Sequence, residues 1–199
     1  MNKTVVFDVG GVLIDWNPEY LYRRLIPEAR AREAFLKTVC TRAWNAQQDL
    51  GRSWADAVRE RIAAFPEHES LIRAYDENWH EMVAGLVPGT SELKDNLRAR
   101  GVKVFALTNF SAEKWTLAQS LWPTLARFDG VVCSGVERVA KPDPAIYRVL
   151  FNRHALDPAA CLFIDDLPAN VAAARDLGMR GHVFTNAGAL ADTLAAFLA

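Results

Sequence analysis

Five short runs of apolar residues mark the chain, and each is separated from the next by a longer stretch with helical character. The runs cover residues 4–7, 102–107, 130–133, 161–164 and 182–184. Short apolar runs without polar alternation are typical of strands that are buried on both faces of a parallel sheet. Because strands and helices alternate, the pattern predicts an α/β fold with a Rossmann-like parallel sheet flanked by helices.

Local signals mark the ends of several predicted helices. Ser111 can cap a helix that runs toward Trp122, and Pro144 suits the first turn of the next helix. Gly101 and Gly178 stand where helices are expected to stop. These signals agree with helices that lie between the predicted strands.

The segment 16–86 differs in character from the rest of the chain. It is rich in Arg, Glu, Ala and Trp, has helical periodicity and contains no convincing strand. The letters SWAD at 53–56 resemble a helix start, and Pro88-Gly89 marks a return to the sheet pattern. We therefore predict a helical cap over residues 16–86, inserted into a catalytic core formed by residues 1–15 and 87–199.

The composition is that of an ordinary globular protein, with 51% apolar and 24% charged residues, which excludes a disordered chain. Twenty-three Lys and Arg stand against 24 Asp and Glu, so the net charge is -1, and no block of like charges occurs. Binding to nucleic acid or to a membrane surface is therefore not expected. A small-molecule partner fits this charge balance better.

The three cysteines, Cys40, Cys133 and Cys161, are widely spaced and form no CxxC pair. Neither a disulfide framework nor a zinc site is indicated, which favours a reducing compartment. The N-terminal letters MNKTVVFDVGG are too short and too interrupted for a signal peptide or a membrane span. We expect a soluble, cytoplasmic protein. Nothing in the sequence indicates the oligomeric state.

Polar side chains follow four of the predicted strands, where each strand ends or in the loop after it. They are Asp8, Thr108 with Asn109, Lys141, and Asp165 with Asp166. Ligands of open parallel sheets bind beyond the carboxyl ends of the strands, so we expect these side chains to converge.

Each polar group can be interpreted either as part of a functional site or as ordinary local structure. Asp8 beside two glycines can meet an anionic ligand, because the backbone of Gly10 and Gly11 allows close approach, although an isolated DVGG is more often a turn. Adjacent Asp165 and Asp166 repel unless a cation or hydrogen-bond donors compensate, and with Asp8 they suit Mg²⁺. One of the pair would bind the metal and the other would orient the site.

Four sequence segments resemble, in their residues and in their order, the motifs of the haloacid dehalogenase-like (HAD) hydrolase superfamily. They are FDVGGVL, LTN, KPDPAIY and FIDDLPANV. The resemblance covers the whole chain, and the predicted cap is similar to the helical insertion of that superfamily. It implies an attack by Asp8 that forms an aspartyl intermediate. It also implies Mg²⁺ held by Asp8, the Gly10 carbonyl and Asp166, with Asp165 positioning a metal-bound water.

The resemblance further implies that Thr108 and Asn109 hold the oxygens of the transferred phosphoryl group and that Lys141 balances its charge. Phosphoryl transfer relies on such cationic stabilisation and on in-line positioning. The partner would be a small phosphorylated substrate. Gly11, Trp16 and Trp44 are predicted to contact it, the two tryptophans because aromatic side chains often line small-molecule pockets.

One position departs from the phosphatases of the superfamily, which carry a second Asp two residues after the nucleophile as a general acid and base. Here that residue is Gly10. General acid–base catalysis contributes about 10² to 10⁴-fold to a rate, so the loss matters. Asp15, His80 and Asp49 are the candidates for a replacement.

Three functions therefore stay open. The first is a Mg²⁺-dependent phosphatase similar to the sugar-phosphate branch with DLGN-like first motifs, which DVGG, Asp15 and the letters QQDLG at 47–51 resemble. The second is a 2-haloacid dehalogenase, which needs no metal, but the Asp165-Asp166 pair argues against it. The third is a phospho-ligand-binding protein without catalysis, and the retained Asp8 and Lys141 argue against that.

Overall fold

The computed structural model describes residues 3–199, whose centre is a five-stranded parallel sheet. The sheet runs in the order β5-β4-β1-β6-β7. The strands are β1 Thr4–Phe7, β2 Ile14–Trp16, β3 Val83–Leu86, β4 Lys103–Thr108, β5 Gly130–Cys133, β6 Cys161–Asp165 and β7 Arg180–Val183. All five predicted strands are confirmed, although β7 begins two residues earlier and ends one residue earlier than its apolar pattern indicated. The predicted fold class is therefore correct.

The central strand is buried on both faces, as its unbroken apolar run predicted. Val5 and Phe7 pack into one hydrophobic cluster, which continues into the segment between β2 and β3. Val6 points to the other face and packs with Ile146 and Leu150. Helices cover both sides of the sheet, so its strands need no polar face.

The helices begin and end close to the predicted signals. The Ser111 hydroxyl accepts the amide of Lys114 at 3.2 Å, and Pro144 is the first residue of its helix. The helices are α1 Glu19–Leu25, α2 Ala29–Thr38, α3 Arg42–Gln48, α4 Trp54–Ala64, α5 Glu69–Glu77, α6 Thr90–Ala99, α7 Ala112–Leu121, α8 Ser134–Glu137, α9 Pro144–His154, α10 Pro168–Asp176 and α11 Ala187–Leu198. Gly101 and Gly178 follow α6 and α10 with positive φ. Within residues 3–199, none of these helices is long and apolar enough to cross a membrane.

The predicted helical insertion contains a feature that the sequence pattern did not reveal. β2 and β3 pair antiparallel, with Ile14 opposite Leu86 and Trp16 opposite Val83. The expectation of a segment without strands was therefore wrong at both of its ends. The apolar letters around 83–86 are too few to distinguish a short strand from a helix end. The ribbon joins the two ends of the segment, and α1 to α5 lie between its strands.

The helical segment packs on the loops at the carboxyl end of the sheet. The indole N–H of Trp54 donates to the Ser111 hydroxyl at 2.9 Å, and this contact is buried. Lys114 on α7 donates to the backbone oxygen of Asp76 at 2.9 Å and also pairs with the Asp76 carboxylate. These contacts place α4 and α5 against the start of α7, just beyond the carboxyl end of β4.

Candidate active site

Asp8 is the first residue after β1, which lies between β4 and β6 in the sheet. Its backbone N–H donates to the oxygen of Ile164 at 2.8 Å, and its carboxylate Oδ1 accepts the Val9 amide at 2.7 Å. The residue is 7% exposed. Among residues 3–199, no donor to Oδ2 of Asp8 is found, so this oxygen is free to react.

Lys141 reaches the same point from the loop before α9. Its Nζ lies 2.8 Å from Oδ1 of Asp8 and 2.6 Å from Oδ2 of Asp165, and its side chain is fully buried. The Asn109 side chain holds the Lys141 backbone by two hydrogen bonds of 2.9 Å, donating to its oxygen and accepting its amide. This geometry gives Asn109 a positioning role in addition to the predicted contact with phosphoryl oxygens, which stays a prediction.

Asp165 is held more firmly than any other carboxylate of the site. Besides Lys141, it accepts the Leu167 amide at 2.8 Å and the Asn170 side-chain amide at 3.0 Å on each oxygen. Both oxygens are therefore occupied by donors, which suits a residue that orients the site. That Asp165 positions a metal-bound water stays a prediction.

Asp166 completes a cluster in which Asp8, Asp165 and Asp166 each offer an oxygen, all within 4.8 Å of one another. Gly11 permits this, because a Cβ there would lie 2.6 Å from Oδ2 of Asp166, and its φ is +73°. Three carboxylates against the single charge of Lys141 leave two negative charges when all are ionised. A divalent cation would balance them, and hard oxygen donors are the ligands that Mg²⁺ prefers. The residues present therefore fit a magnesium site.

Two carboxyl groups of the cluster, those of Asp8 and Asp166, have raised pKa values because they are withdrawn from water. Burial raises the pKa of Asp8 to about 7, the Lys141 charge lowers it and the Asp165 charge raises it. Burial, followed by the charge of Asp165, also raises the pKa of Asp166, while Arg42 on α3 is close enough to lower it. A bound cation would favour the ionised forms and restore the nucleophilic carboxylate of Asp8.

Thr108 ends β4 next to Asp8, and its hydroxyl is completely buried. Among the described residues of the chain, Oγ1 has no hydrogen-bond partner. A buried hydroxyl without a partner costs about 1 to 3 kcal/mol. Such a group at the end of a strand beside a nucleophile is suited to an oxygen of the substrate.

Thr108→Val tests this role. We expect kcat/KM to fall about 10 to 100-fold, because a hydrogen bond to a charged group is worth about 1.5 to 3 kcal/mol, while the free energy of unfolding stays the same or rises. Thr108→Ser is the matched control and should retain most activity. Kinetic assays and chemical denaturation of the three proteins provide the measurement. Unchanged kinetics in the valine variant would remove Thr108 from the site.

A cavity of about 90 Å³ lies between the helical segment and the sheet, beside Gly10. Its lining residues are Gly10, Trp16, Asn45, Asp49, Trp54, Trp79, Asn109, Phe110, Ser111 and Lys114. A Cβ added at Gly10 would meet no atom within 4 Å. The cavity is therefore open toward the nucleophile loop, and four of its ten lining residues are aromatic.

The residues predicted to contact the substrate differ in their position relative to this cavity. Trp16 lines it, and its indole N–H is buried and unpartnered among residues 3–199. Trp44 does not line it: its ring packs edge-on against Trp54 and Tyr75 in the core of the helical segment, because a small helical unit needs large side chains to form a core. The contact of Trp44 with substrate stays a prediction. Gly11 serves to admit Asp166, and its contact with substrate stays a prediction.

Sequence reasoning did not find several residues that the fold brings to the site. Asn170 was missed, although its position five residues after Asp165, at the start of α10, was a usable signal. Trp54, Trp79 and Phe110 form the cavity wall, and Arg42 approaches Asp166. No local pattern distinguishes these four residues from packing or surface residues, because their roles depend on how the helical segment sits on the sheet.

Comparisons with known proteins agree with the fold. A family model described as haloacid dehalogenase-like hydrolase matches residues 2–178. A sesquiterpene phosphatase of Aspergillus oryzae is 28% identical over 190 residues, or 92% of this chain and 90% of the relative. A phosphatase of Mycobacterium tuberculosis is 33% identical over 211 residues, or 96% and 90%.

Among solved structures, a HAD family enzyme of Bacteroides thetaiotaomicron has a TM-score of 0.75 at 22% identity and covers 93% of this chain and 94% of its own. Its complex with magnesium and inorganic phosphate has a TM-score of 0.71. At this identity the likeness shows the fold alone. The family model, which covers most of the chain, carries the assignment: the chain belongs to the haloacid dehalogenase-like hydrolases and is an enzyme of that family.

Proposed function

We propose that this chain is a Mg²⁺-dependent phosphatase that forms an aspartyl-enzyme intermediate on Asp8 and acts on a small phosphorylated metabolite such as a sugar phosphate. The observation that carries the proposal is the carboxylate cluster of Asp8, Asp165 and Asp166, whose oxygens lie within 4.8 Å. A phosphate dianion cannot approach this cluster without a cation. The magnesium complex of the Bacteroides thetaiotaomicron enzyme, which has the same fold, supports the choice of metal.

Each residue of the site has its own role in this mechanism. Oδ2 of Asp8 attacks the phosphorus, and the bond to the leaving oxygen breaks. Lys141 and the Thr108 hydroxyl meet the oxygens of the phosphoryl group, and Asn109 keeps Lys141 in position. A bound Mg²⁺, held by Asp8, the Gly10 carbonyl and Asp166, would neutralise the charge that the two anions bring together. Water then cleaves the aspartyl phosphate and regenerates Asp8.

A phosphatase is favoured over a 2-haloacid dehalogenase by Asp166. Attack on carbon with loss of halide needs one carboxylate, and a second one nearby would repel both the nucleophile and an anionic haloacid. In a metal site the same residue is a ligand. Both relatives named above carry the name phosphatase, one of them as a sesquiterpene phosphatase.

The cavity supports a small leaving group. Its volume of about 90 Å³ is below that of a cavity that holds benzene, about 150 Å³. The aromatic walls can face the C–H surface of the part of a leaving group that enters the cavity, while Asn45, Lys114 and the Trp16 N–H supply hydrogen bonds. A leaving group larger than benzene, such as a whole sugar, would require movement of the helical segment.

We further propose a cytoplasmic location and a substrate-only partnership, without nucleic acid or membrane. The three cysteines are buried and free, which suits a reducing compartment. The net charge of -1 offers no electrostatic footprint for polyanions.

The proposal predicts metal-dependent phosphate release. Purified protein with Mg²⁺ should hydrolyse members of a panel of sugar phosphates and other small phosphate monoesters, and EDTA should reduce the rate to the level of an Asp8→Asn control. Added Mg²⁺ should restore it. Metal-independent release of chloride from 2-chloropropionate would instead establish a dehalogenase. Binding of phosphate esters without turnover would indicate a non-catalytic protein.

A further inference from the structure

The cavity beside Gly10 holds one carboxyl group that the mechanism above does not use. Asp49 follows α3 at the edge of the helical segment and lines the same cavity as Gly10 and Asn109. The side-chain amide of Asn45 donates to its Oδ2 at 3.0 Å, and the Ser134 hydroxyl donates to its backbone oxygen. Asp49 is therefore fixed to both the helical segment and the sheet.

Asp49 has no cationic partner among the described residues, although Lys114 lines the same cavity. The Lys114 ammonium is engaged with the carboxylate and backbone oxygen of Asp76. The other titratable groups that face Asp49 are Tyr75 on α5 and Cys133 at the end of β5. Burial raises the pKa of Asp49 to about 7, against the opposing effect of the Ser111 amide and Asn45. A carboxyl group in this state can both donate and accept a proton near neutral pH.

We propose that Asp49 is the catalytic acid and base of this enzyme and replaces, from the helical segment, the carboxyl group that is absent at position 10. Gly10 leaves the space that the missing side chain would fill, and Asp49 lines the same cavity as Gly10. The inference rests on the proposed phosphatase function. Asp15 and His80 do not compete for the role: Asp15 is exposed and accepts the Tyr20 hydroxyl at 2.8 Å, and His80 is exposed.

The proton balance of the two steps follows from this placement. As Asp8 attacks the phosphorus and the bond to the leaving oxygen breaks, the Asp49 carboxyl gives its proton to that oxygen, which departs as an alcohol. Asp49 is then ionised. It takes a proton from the water that attacks the aspartyl phosphate, and orthophosphate leaves as Asp8 is restored.

Asp49→Asn gives the sharpest test, because asparagine can still accept the Asn45 hydrogen bond. We expect kcat/KM for alkyl or sugar phosphates to fall about 10² to 10⁴-fold, and that for p-nitrophenyl phosphate to change far less, because a good leaving group needs no proton. The plot of log kcat/KM against leaving-group pKa should become steeper. The fall of kcat/KM above about pH 7 should also disappear.

Two further variants separate this role from a structural one. Asp49→Asn combined with Gly10→Asp should recover activity on poor leaving groups, since the space at Gly10 admits the new side chain. Asp15→Asn, the same chemical change at an exposed position, should behave like the unaltered protein. Absence of any turnover by the unaltered protein would overturn both this inference and the proposed function. Normal turnover with an unchanged leaving-group dependence in Asp49→Asn would overturn this inference alone.

A measurement without substrate tests the ionisation of Asp49. Its folded pKa lies above the unfolded value of 3.8, so its contribution to stability is fully present below about pH 4 and is lost as the pH rises to about 7. Thermal unfolding should therefore show a smaller loss of stability between pH 4 and 7 in Asp49→Asn than in the unaltered protein. Parallel pH curves for the two proteins would contradict the raised pKa.

Discussion

Asp8→Asn is expected to abolish phosphate release, with a loss of about 10⁴-fold or more in kcat, because a covalent mechanism cannot proceed without its nucleophile. The amide nitrogen is not nucleophilic, and the substitution also removes one of the carboxylates that would hold Mg²⁺. The fold should survive, since Asp165 still neutralises Lys141 at 2.6 Å. Steady-state assays over the active substrates measure the effect.

The same variant has an expected signature in stability. The folded pKa of Asp8, about 7, lies above its unfolded value of 3.8, so the metal-free protein should lose stability as the pH rises from about 4 to about 7. Asp8→Asn lacks this part of the loss and should be more stable than the unaltered protein above pH 7. Mg²⁺ should stabilise the unaltered protein more than the variant. An inactive variant that is also strongly destabilised would instead indicate a structural role for Asp8.

Lys141→Met is expected to damage both activity and stability. The ammonium lies between two buried carboxylates, at 2.8 Å from Asp8 and 2.6 Å from Asp165, and breaking a buried ion pair by removing one partner costs about 3 to 5 kcal/mol. The pKa of Asp8 should rise further, because the charge that lowers it is lost. Turnover should fall by about 10³-fold or more, on the scale that transition-state charge stabilisation provides.

Two measurements distinguish the electrostatic effect of Lys141 from the loss of packing. The destabilisation of Lys141→Met should be smallest near pH 4, where Asp8 can be protonated in the folded chain, and greatest above pH 7. Lys94→Met is the matched control, because Lys94 is also fully buried, but its ammonium donates to the backbone oxygen of Thr124 and pairs with the partly exposed Asp95 instead of with two buried carboxylates. The control should lose stability without the same pH dependence. A destabilisation of Lys141→Met that does not vary with pH would contradict the ion-pair interpretation.

The sheet and the catalytic cluster were predictable because both are encoded locally. Buried parallel strands require continuous apolar runs, and the residue after each run lies at a fixed edge of the sheet. Asp8, Thr108, Lys141 and Asp165 were thus expected to converge, and the structure brings them together. The short ribbon of β2 and β3 was not expected, because three or four residues carry too weak a pattern.

The surroundings of the site were less predictable. The sequence gives no reason to prefer Trp16 or Trp44 as a substrate contact, since both are aromatic residues of the helical segment. Of the two, only Trp16 lines the cavity. Asn109 was expected to bind phosphate, and its side chain also fixes the backbone of Lys141. Such assignments depend on side-chain direction after packing, which a linear pattern does not contain.

The sequence by itself determined the parallel sheet, the order of its polar clusters and the absence of a carboxyl group at position 10. These features follow from local periodicity and from the fixed geometry of strand ends. Only the tertiary structure decided that Lys141 is buried between Asp8 and Asp165, and that Asp49 shares a cavity with Gly10. Those contacts join residues that are distant in the sequence, and they arise from the way the helical segment packs on the sheet, a long-range arrangement that no local pattern specifies.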